Sequence, residues 1–327
     1  MTDPIVVGTD GSPPASRAVR WAADEAALRG RPLHIVHAID RGLYELPLFA
    51  PGQIAESVAE AGEETLAEAA RTAREHRPGV AVTTELVAEA ITVALAERSR
   101  RAFELVVGHR GRGGFASLLL GSTGLRLAGH AAAPVVIVRR RTVEEDVPSG
   151  PEPSGGEPSD GEVAGGGPAG AAPPGGGPAA EGSDAAAAGD VVVGVDLVSD
   201  PTGPLRYAFD AAAVRDTRVR VVHAWRDGGA LVRGEGGRTD TREIVERLEQ
   251  AVVRAQEPVR TAFPTVPVVA DIVHDHPVTA LAEASLRAAL VVVGTHDHNW
   301  LNVPGLGSVS HGVIHHAHSP VAVVHTA

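Results

Sequence analysis

The 327-residue sequence contains no cysteine and no lysine. Without cysteine the chain has no disulfides, thiolate metal ligands or thiol nucleophiles, and we therefore expect a protein of the reducing cytoplasm. All 29 basic residues are arginine, which excludes a lysine Schiff base and a Walker-type phosphate loop. Aromatic residues make up only 3% of the chain, too few to indicate an aromatic cofactor site.

The chain also has fewer basic residues than acidic ones, 29 against 41, and its formal net charge is -12. Such an excess of carboxylates repels nucleic-acid backbones and anionic lipids at long range, so we expect neither partner. No apolar run approaches the roughly 18 residues that span a bilayer, and the acidic first ten residues do not read as a signal peptide. A polyanionic ligand would have to be held by a local site.

The middle of the chain has a composition unlike its flanks. Residues 148–189 are almost wholly Pro, Gly, Ala, Ser and acidic residues, which cannot build a core. With a few flanking residues, this composition predicts a disordered linker over residues 141–189. The flanks, residues 1–140 and 190–327, are each long enough to form a domain.

The two flanks form an internal repeat with a constant offset of 186 positions. The matching pairs are Val6-Val7-Gly8 with Val192-Val193-Gly194, Asp10 with Asp196, His37-Ala38 with His223-Ala224, Val106-Val107-Gly108 with Val292-Val293-Gly294, Gly121-Ser122 with Gly307-Ser308, and Pro134-Val135 with Pro320-Val321. A fixed offset over so many pairs indicates a duplicated fold.

Short apolar runs alternate with helical periodicity within each copy. The runs are continuous in Val, Leu and Ile, which is typical of parallel strands that are buried on both faces by helices. We therefore predict an α/β protein with two doubly wound, mostly parallel five-stranded sheets. In the second copy Ile244, Leu248, Val252 and Ala255 mark one face of a long helix, which we expect Pro258 to interrupt. Ligands of such sheets bind beyond the carboxyl ends of the strands.

A glycine-rich loop follows the fourth strand of the first copy. It begins Gly108-His109-Arg110-Gly111 and, nine residues later, reaches Gly121-Ser122-Thr123 at the start of a helix. Glycine N–H groups, the Ser122 hydroxyl and a helix N-terminus together suit phosphate oxygens. Arg110 and Arg112 add positive charge, and Asp10, just after the first strand, is placed to accept hydrogen bonds from a ribose or base. The alternative for the loop is a surface turn that binds no ligand. The alternative for Asp10 is that its side chain only caps the following helix.

The segments VVGTD, VHA, VVG-x2-G-x9-GST and APVVIV resemble the universal stress protein family across residues 1–140 and 190–327. The resemblance implies the adenine nucleotide alpha-hydrolase-like fold. It also implies that Asp10 and the segment from Val36 to Ala38 contact adenosine. It assigns the phosphates of ATP, which can carry Mg or Mn, to Gly108, Gly111, Gly121, Ser122 and Thr123. Pairing through the last strand of each domain, within one chain or between two chains, is a further implication.

The second copy keeps only part of this pattern. Asp196, Gly294, Gly307 and Ser308 are present, but Asp297 replaces the second glycine and would repel phosphate oxygens. We therefore expect the first copy to hold most of the nucleotide. The second copy could still bind adenosine or a less charged nucleotide.

Ten of the 15 histidines lie in the second copy. His274-Asp275-His276, His296-Asp297-His298 and the i, i+4 pair His311 and His315 could bind a metal. Solvated surface histidines are the more common case, so we predict no metal site.

The predicted function is a stress-response regulator that binds adenine nucleotide, and catalysis is not required. A slow ATPase is the first alternative, although the sequence shows no positioned base beside the loop. A dimerisation scaffold without ATP is the second. Thr9-Asp10-Gly11-Ser12 matches neither signature loop of the adenylating enzymes.

Overall fold

The structure is a computed structural model. It describes residues 2–39, 53–109, 121–139, 189–226, 241–295 and 306–325. The predicted linker, residues 141–189, lies outside the described residues apart from Gly189. None of the helices in the described ranges is long and apolar enough to cross a membrane.

The first half alternates strands and helices as the apolar pattern predicts. Its elements are β1 (Ile5–Gly8), α1 (Pro13–Arg29), β2 (Leu33–Ala38), α2 (Gln53–His76), β3 (Val82–Val87), α3 (Ile91–Ser99), β4 (Glu104–Gly108), α4 (Ser122–His130) and β5 (Val135–Val138). The strands are short and rich in β-branched residues, and the helices between them are rich in alanine, so local propensity and burial agree.

The second half repeats this order. Its elements are β6 (Asp190–Gly194), α5 (Thr202–Ala213), β7 (Val219–Trp225), α6 (Thr241–Arg260), β8 (Val268–His274), α7 (Pro277–Ser285), β9 (Ala288–Thr295), α8 (Ser308–His316) and β10 (Val321–His325). Side-chain contacts repeat as well. His37 Nδ1 donates to the carbonyl of Thr9 at 2.7 Å, and His223 Nδ1 donates to that of Val195 at 2.9 Å.

The ten strands form one sheet in the order β3-β2-β1-β4-β5-β10-β9-β6-β7-β8. Within each half all neighbouring strands are parallel, so the predicted doubly wound fold is confirmed. The halves join edge to edge because β5 pairs with β10 in the antiparallel direction.

The junction of the two halves has a pseudo-two-fold axis. Val136 lies opposite Ala322, and these residues differ by the repeat offset, while Ile137 faces Val321 and Val135 faces Val323. Exchange of the halves therefore maps this strand pair onto itself. The same exchange relates any residue of the first half to the one 186 positions later.

Helices cover both faces of the sheet. One apolar cluster includes Ile5, Val19, Leu66 and Phe209 and lies under α1, α2, α5 and α6. A second cluster, which includes Leu95, lies under the other four helices. Strands buried on both faces explain why their sequences lack an apolar-polar alternation.

Helix α6 differs from the prediction at its end. It continues through Pro258 to Arg260, and Val252 and Val259 are buried along it. Proline lacks one N–H donor, but here it lies in the last turn, where only one intrahelical bond depends on that group. The helix ends two residues later, and Thr261 closes it with a hydrogen bond from its hydroxyl to the carbonyl of Glu257 at 3.2 Å.

Candidate functional site

The crevice between β1 and β4 is the point at which the chain connections of the first half diverge. Strand β1 leads through α1 to β2 on one side, and β4 leads through α4 to β5 on the other. The carboxyl ends of β1 and β4 therefore border a groove of the kind that binds ligands in doubly wound sheets. The second half has the equivalent groove between β6 and β9.

The turn after β1 places Asp10 at this groove. One Asp10 carboxylate oxygen accepts the N–H of Ser12 at 2.9 Å, and Gly11 has a φ of 73°, which favours glycine. Ser12 is the N-cap of α1, with its hydroxyl oxygen accepting from the N–H of Ala15 at 3.4 Å. Asp10 is thus not the N-cap of α1, and it is half-buried at the edge of the groove.

Gly108 lies where β4 approaches the start of α1. A Cβ atom on Gly108 would come within 2.9 Å of the carbonyl group of Pro14, closer than two such atoms can approach without a shift of the backbone. Glycine at this position is therefore required by close contact between backbone segments. This requirement exists whether or not a ligand binds.

The two ends of the glycine-rich loop are held together by backbone hydrogen bonds. The N–H of His109 donates to Val138 at 3.1 Å, and the N–H of Gly121 donates to the carbonyl of His109 at 2.8 Å. Gly121 is the N-cap of α4, and Thr123 lies in the first turn of that helix. The positive end of the α4 dipole is therefore next to the end of β4.

Four predictions for this loop fall outside what the structure describes. Arg110, Gly111 and Arg112 lie outside the described residues, and so does the side chain of Ser122.

The end of β2 forms the third side of the first-half groove. Val36 is fully buried, and its carbonyl accepts the N–H of Thr9 at 2.9 Å. Ala38 is half-buried at the strand end. His37 lies within the segment from Val36 to Ala38 that the resemblance assigns to adenosine, and its bond to Thr9 fixes the ends of β1 and β2 relative to each other.

The second-half groove encloses a cavity of about 270 Å³. All four residues predicted for this half line it, namely Asp196, Gly294, Gly307 and Ser308. The structure thus brings together the ends of β6 and β9 and the N-terminus of α8.

Several wall residues of this cavity were not predicted. They are Val195, Ser199, Asp200, Pro201, Pro204, Val222, Ala224, Pro277, Leu281, Val293, Val309 and Ser310, together with Gly194. Val222 and Ala224 lie 186 residues after Val36 and Ala38, so the repeat could have indicated them. The apolar members form a wall suited to a flat, weakly polar group.

Acidic groups stand at the mouth of the cavity. Asp196 Oδ1 accepts the N–H groups of Val198 and Ser199, at 3.2 and 2.8 Å. Asp200 accepts the Thr202 hydroxyl at 2.6 Å and its N–H at 2.9 Å, and these two hydrogen bonds lower the pKa of Asp200. The described lining contains no arginine or histidine, so this part of the cavity offers no cationic side chain to a phosphate. Asp297, the predicted source of repulsion, lies outside the described residues.

The histidines of the second half have structural contacts in several places. The ring of His274 lies against that of Trp225, with centroids 4.4 Å apart, and His276 is the N-cap of α7. The rings of His311 and His315 lie 4.5 Å apart. Burial and the nearby charges of His311 and Arg139 lower the pKa of His315. Among the described residues, no group of three or more His, Asp or Glu side chains could hold a metal ion, and His296 and His298 are not among them.

Known proteins similar to this chain share its tandem organisation. A universal stress protein of Mycobacterium tuberculosis is 29% identical over 342 residues, which cover 98% of this chain and 94% of that protein. One from Mycolicibacterium smegmatis is 29% identical over 336 residues, covering 98% of this chain and 96% of its own length. The crystal structure of a universal stress protein from Archaeoglobus fulgidus has a TM-score of 0.65 at 18% identity, covering 99% of this chain and 98% of that one.

The universal stress protein family matches residues 1–139 and 189–325 of the sequence. Together these segments cover most of the chain and coincide with the two halves of the sheet. The chain therefore belongs to the universal stress protein family.

Proposed function

We propose that the protein is a stress-response regulator that binds adenine nucleotide without a catalytic step, and that the first half holds most of the ATP. The observation that carries nucleotide binding is the cavity at the carboxyl ends of β6 and β9, which combines an apolar wall with Asp196 and the N-terminus of α8. An apolar slot with a few convergent polar groups is the usual form of a small-ligand site.

In the first half, the nucleotide would lie across the ends of β1 and β4. Asp10 would accept hydrogen bonds from the ribose. The N-terminus of α4, with Gly121, Ser122 and Thr123, would hold the phosphates as helix N-termini do. Gly108, Gly111 and Arg110 complete the proposed phosphate site, and Val36 and Ala38 would border the adenine. A divalent ion such as Mg or Mn could accompany the phosphates of ATP.

In the second half, a nucleoside or a monophosphate fits better than ATP. The cavity of about 270 Å³ is at the small end of the range for ligand pockets, about 300 to 1,000 Å³. Its mouth carries Asp196 and Asp200, and like charges would repel a polyphosphate chain. An adenine ring can lie against Val222, Ala224 and Leu281, while Asp196 accepts from the ribose.

Regulation would depend on the pairing of the two halves. We propose that β5 and β10 pair within one chain, which the antiparallel contact between them supports. Both ligand grooves border strands of the same sheet, so occupancy of a groove can bias how firmly the halves pair.

Calorimetry with matched variants of the full chain tests this proposal. Asp10→Asn and Asp196→Asn alter equivalent positions and keep an oxygen for the backbone N–H groups that these side chains hold. We expect Asp10→Asn to weaken ATP binding about ten- to hundredfold, because a hydrogen bond to a charged acceptor contributes about 1.5 to 3 kcal/mol. Asp196→Asn should leave ATP affinity nearly unchanged but weaken the binding of adenosine.

The results separate the alternatives. An absence of any ATP or adenosine binding would refute nucleotide binding and favour a scaffold role. Equal weakening of ATP by both variants would contradict the dominance of the first half. Phosphate release from ATP well above that of an Asp10→Asn, Asp196→Asn double variant would show a slow ATPase instead of a regulator without catalysis.

A second pair of substitutions tests the phosphate argument directly. Gly111→Asp should weaken ATP binding in the first half, and Asp297→Gly should strengthen it in the second half. Unchanged affinities in both variants would mean that these positions do not meet the phosphates.

A further inference from the structure

A cluster of polar side chains, most of them buried, lies between the two halves of the chain. The first half contributes Glu25, Arg29 and Glu104, and the second half contributes Tyr207, Asp210 and Arg215. Glu25 and Glu104 are 1% and 0% exposed, and Tyr207 is 7% exposed. These six residues are called the junction cluster below.

All but one of the contacts given below for the junction cluster cross between the halves. The Tyr207 hydroxyl donates to Glu104 Oε2 at 2.6 Å. Arg215 donates to both carboxylate oxygens of Glu25, with Nη1 3.3 Å from Oε1. Arg29 donates to Glu25 at 2.5 Å and also contacts Asp210. Each half thus supplies hydrogen-bond partners for buried groups of the other half, while Glu104 Oε1 and Arg29 Nη2 make no hydrogen bond.

The junction cluster does not obey the pseudo-two-fold symmetry of the sheet. Exchange of the halves relates Arg29 to Arg215 and Asp210 to Asp24, but it relates Glu25 to Ala211. It also relates Glu104 to Leu290 and Tyr207 to Trp21, and both of these counterparts belong to or pack against the apolar cluster under α1 and α5. The polar pair on one side of the axis therefore has an apolar counterpart on the other.

The strands at the junction carry little information about the choice of partner. β5 reads VVIV and β10 reads VAVVH, and a backbone hydrogen-bond ladder can form between any two strand edges. A first half could pair with another first half through the same ladder. Selectivity must therefore come from side chains that stabilise one pairing and destabilise the others.

We propose that the junction cluster makes each half of the chain select the other half as its partner and reject a second copy of itself. In a pair of first halves, each buried Glu104 would face Trp21 in place of the Tyr207 hydroxyl. In a pair of second halves, Arg215 would face Asp210 of the other copy in place of Glu25, and the Tyr207 hydroxyl would face Leu290 in place of Glu104. Buried polar groups without partners strongly disfavour both like pairings.

Burial also determines which carboxyl group of the junction cluster is neutral. Burial, together with the nearby Glu25 carboxylate, raises the pKa of Glu104 to about 8, against the opposing effects of Arg29, Tyr207 and Arg215. At neutral pH a protonated Glu104 leaves two carboxylates, Glu25 and Asp210, opposite two arginines. In the mixed pairing each guanidinium therefore has a carboxylate, and the neutral carboxyl group of Glu104 is the one that meets the Tyr207 hydroxyl.

A single cysteine can report like pairing because the natural sequence has none. Val136 lies on the pseudo-two-fold axis opposite Ala322, so a pair of first halves would place two copies of residue 136 face to face. In the full chain, Val136→Cys should form a disulfide between chains only if first halves pair with each other. Val136→Cys combined with Ala322→Cys should form a link within one chain, because directly opposed residues are close enough for a disulfide.

The test compares this reporter in three full-length backgrounds. The first background is the otherwise natural chain. The second carries Glu104→Leu with Tyr207→Trp, which copies the apolar counterparts Leu290 and Trp21. The third carries Tyr207→Phe as a matched control. Each chain is unfolded, then refolded in a glutathione buffer at about 1 mM protein, near the effective concentration of tethered partners. Non-reducing electrophoresis then measures the fraction of chains linked between molecules.

We expect the double substitution to raise the linked fraction about tenfold or more over the natural background, because it removes the buried mismatch of Glu104. Tyr207→Phe keeps Glu104 and should leave the fraction low. Equal linking in the natural and doubly substituted chains, whether high or low, would overturn the proposal. A rise with Tyr207→Phe as large as that of the double substitution would also overturn it, since weaker mixed pairing would then explain the result.

Discussion

Replacement of Glu104 by glutamine should change how the stability of the protein depends on pH. Glu104 is completely buried at the start of β4, and its pKa is raised from an ordinary value of 4.5 to about 8. Glutamine has nearly the same shape, and its carbonyl can still accept the Tyr207 hydroxyl. The substitution therefore removes the titration and leaves the contact in place.

The sign follows from which state binds the proton more tightly. Because the folded pKa of Glu104 is higher than the unfolded one, its contribution to stability is fully present below pH 4.5 and is lost as the pH rises towards about 8. The slope approaches 1.4 kcal/mol per pH unit. Across the window the loss is on the order of 3 to 5 kcal/mol.

Urea unfolding of both chains between pH 5 and pH 9 measures this effect. Other groups titrate in both proteins, so the difference between the two curves isolates Glu104. We expect similar stability at pH 5 and a Glu104→Gln protein that is more stable by a few kcal/mol at pH 9. Parallel curves would show that Glu104 ionises in the folded protein as it does in water, and the description of its burial would be wrong.

Three further substitutions test other parts of the fold. In the same urea assay, Gly108→Ala should destabilise the protein by about 1 to 3 kcal/mol, because the added methyl group overpacks against the start of α1. Gly79→Ala is the control and should be neutral, because its Cβ would meet nothing within 4 Å. Equal effects of the two substitutions would contradict the close approach of β4 to α1 at Gly108. The side-chain hydrogen bond from Arg98 is the main cause that lowers the pKa of Glu85 to about 2, so its contribution is present above pH 4.5 and lost as the pH falls towards 2. Because Glu85 is 39% exposed, Arg98→Ala should lower the free energy of unfolding by less than about 1 kcal/mol. It should also reduce the loss of stability between pH 4.5 and pH 2. An unchanged dependence of stability on pH in that range would argue against this ion pair. Phe209→Ala should cost about 3 to 5 kcal/mol, because Phe209 is fully buried, and a loss below 1 kcal/mol in the urea midpoint would show a poorly packed cluster.

The strands of the fold could be predicted because they are continuous apolar runs. Val6-Val7-Gly8 and Val292-Val293-Gly294 lie in β1 and β9, since strands buried on both faces need no polar alternation. Helix ends were harder to predict. Pro258 was expected to interrupt α6, but a proline in the last turn loses one hydrogen bond without ending the helix.

The candidate site was predictable only as far as its motif residues. Asp196, Gly294, Gly307 and Ser308 come together at one cavity, because the carboxyl ends of parallel strands meet at one edge of the sheet. Leu281 was missed, since an apolar residue on a helix gives no sign of whether it faces the core or a ligand. The assignment of Gly111 and Ser122 to phosphates remains a prediction.

The junction cluster could not be predicted from the sequence, for a physical reason. Glu104 stands at the head of an apolar run, and Tyr207 lies 103 residues later in a helix of the other half. No sequence periodicity links these two positions. From the sequence alone, Glu104 therefore indicates only the boundary of a strand. Only the antiparallel junction of β5 and β10 brings them together.

That junction also fixes where the two grooves lie. All strands of a half are parallel, but the two halves run in opposite directions because β5 is antiparallel to β10. The carboxyl ends of the two halves, and with them the two grooves, therefore open at opposite edges of one sheet. A ligand in one groove does not contact a ligand in the other, so any coupling must pass through the shared strands or the junction cluster. A protein that senses nucleotide through the pairing of its halves would thus depend on the same buried residues that select the partner.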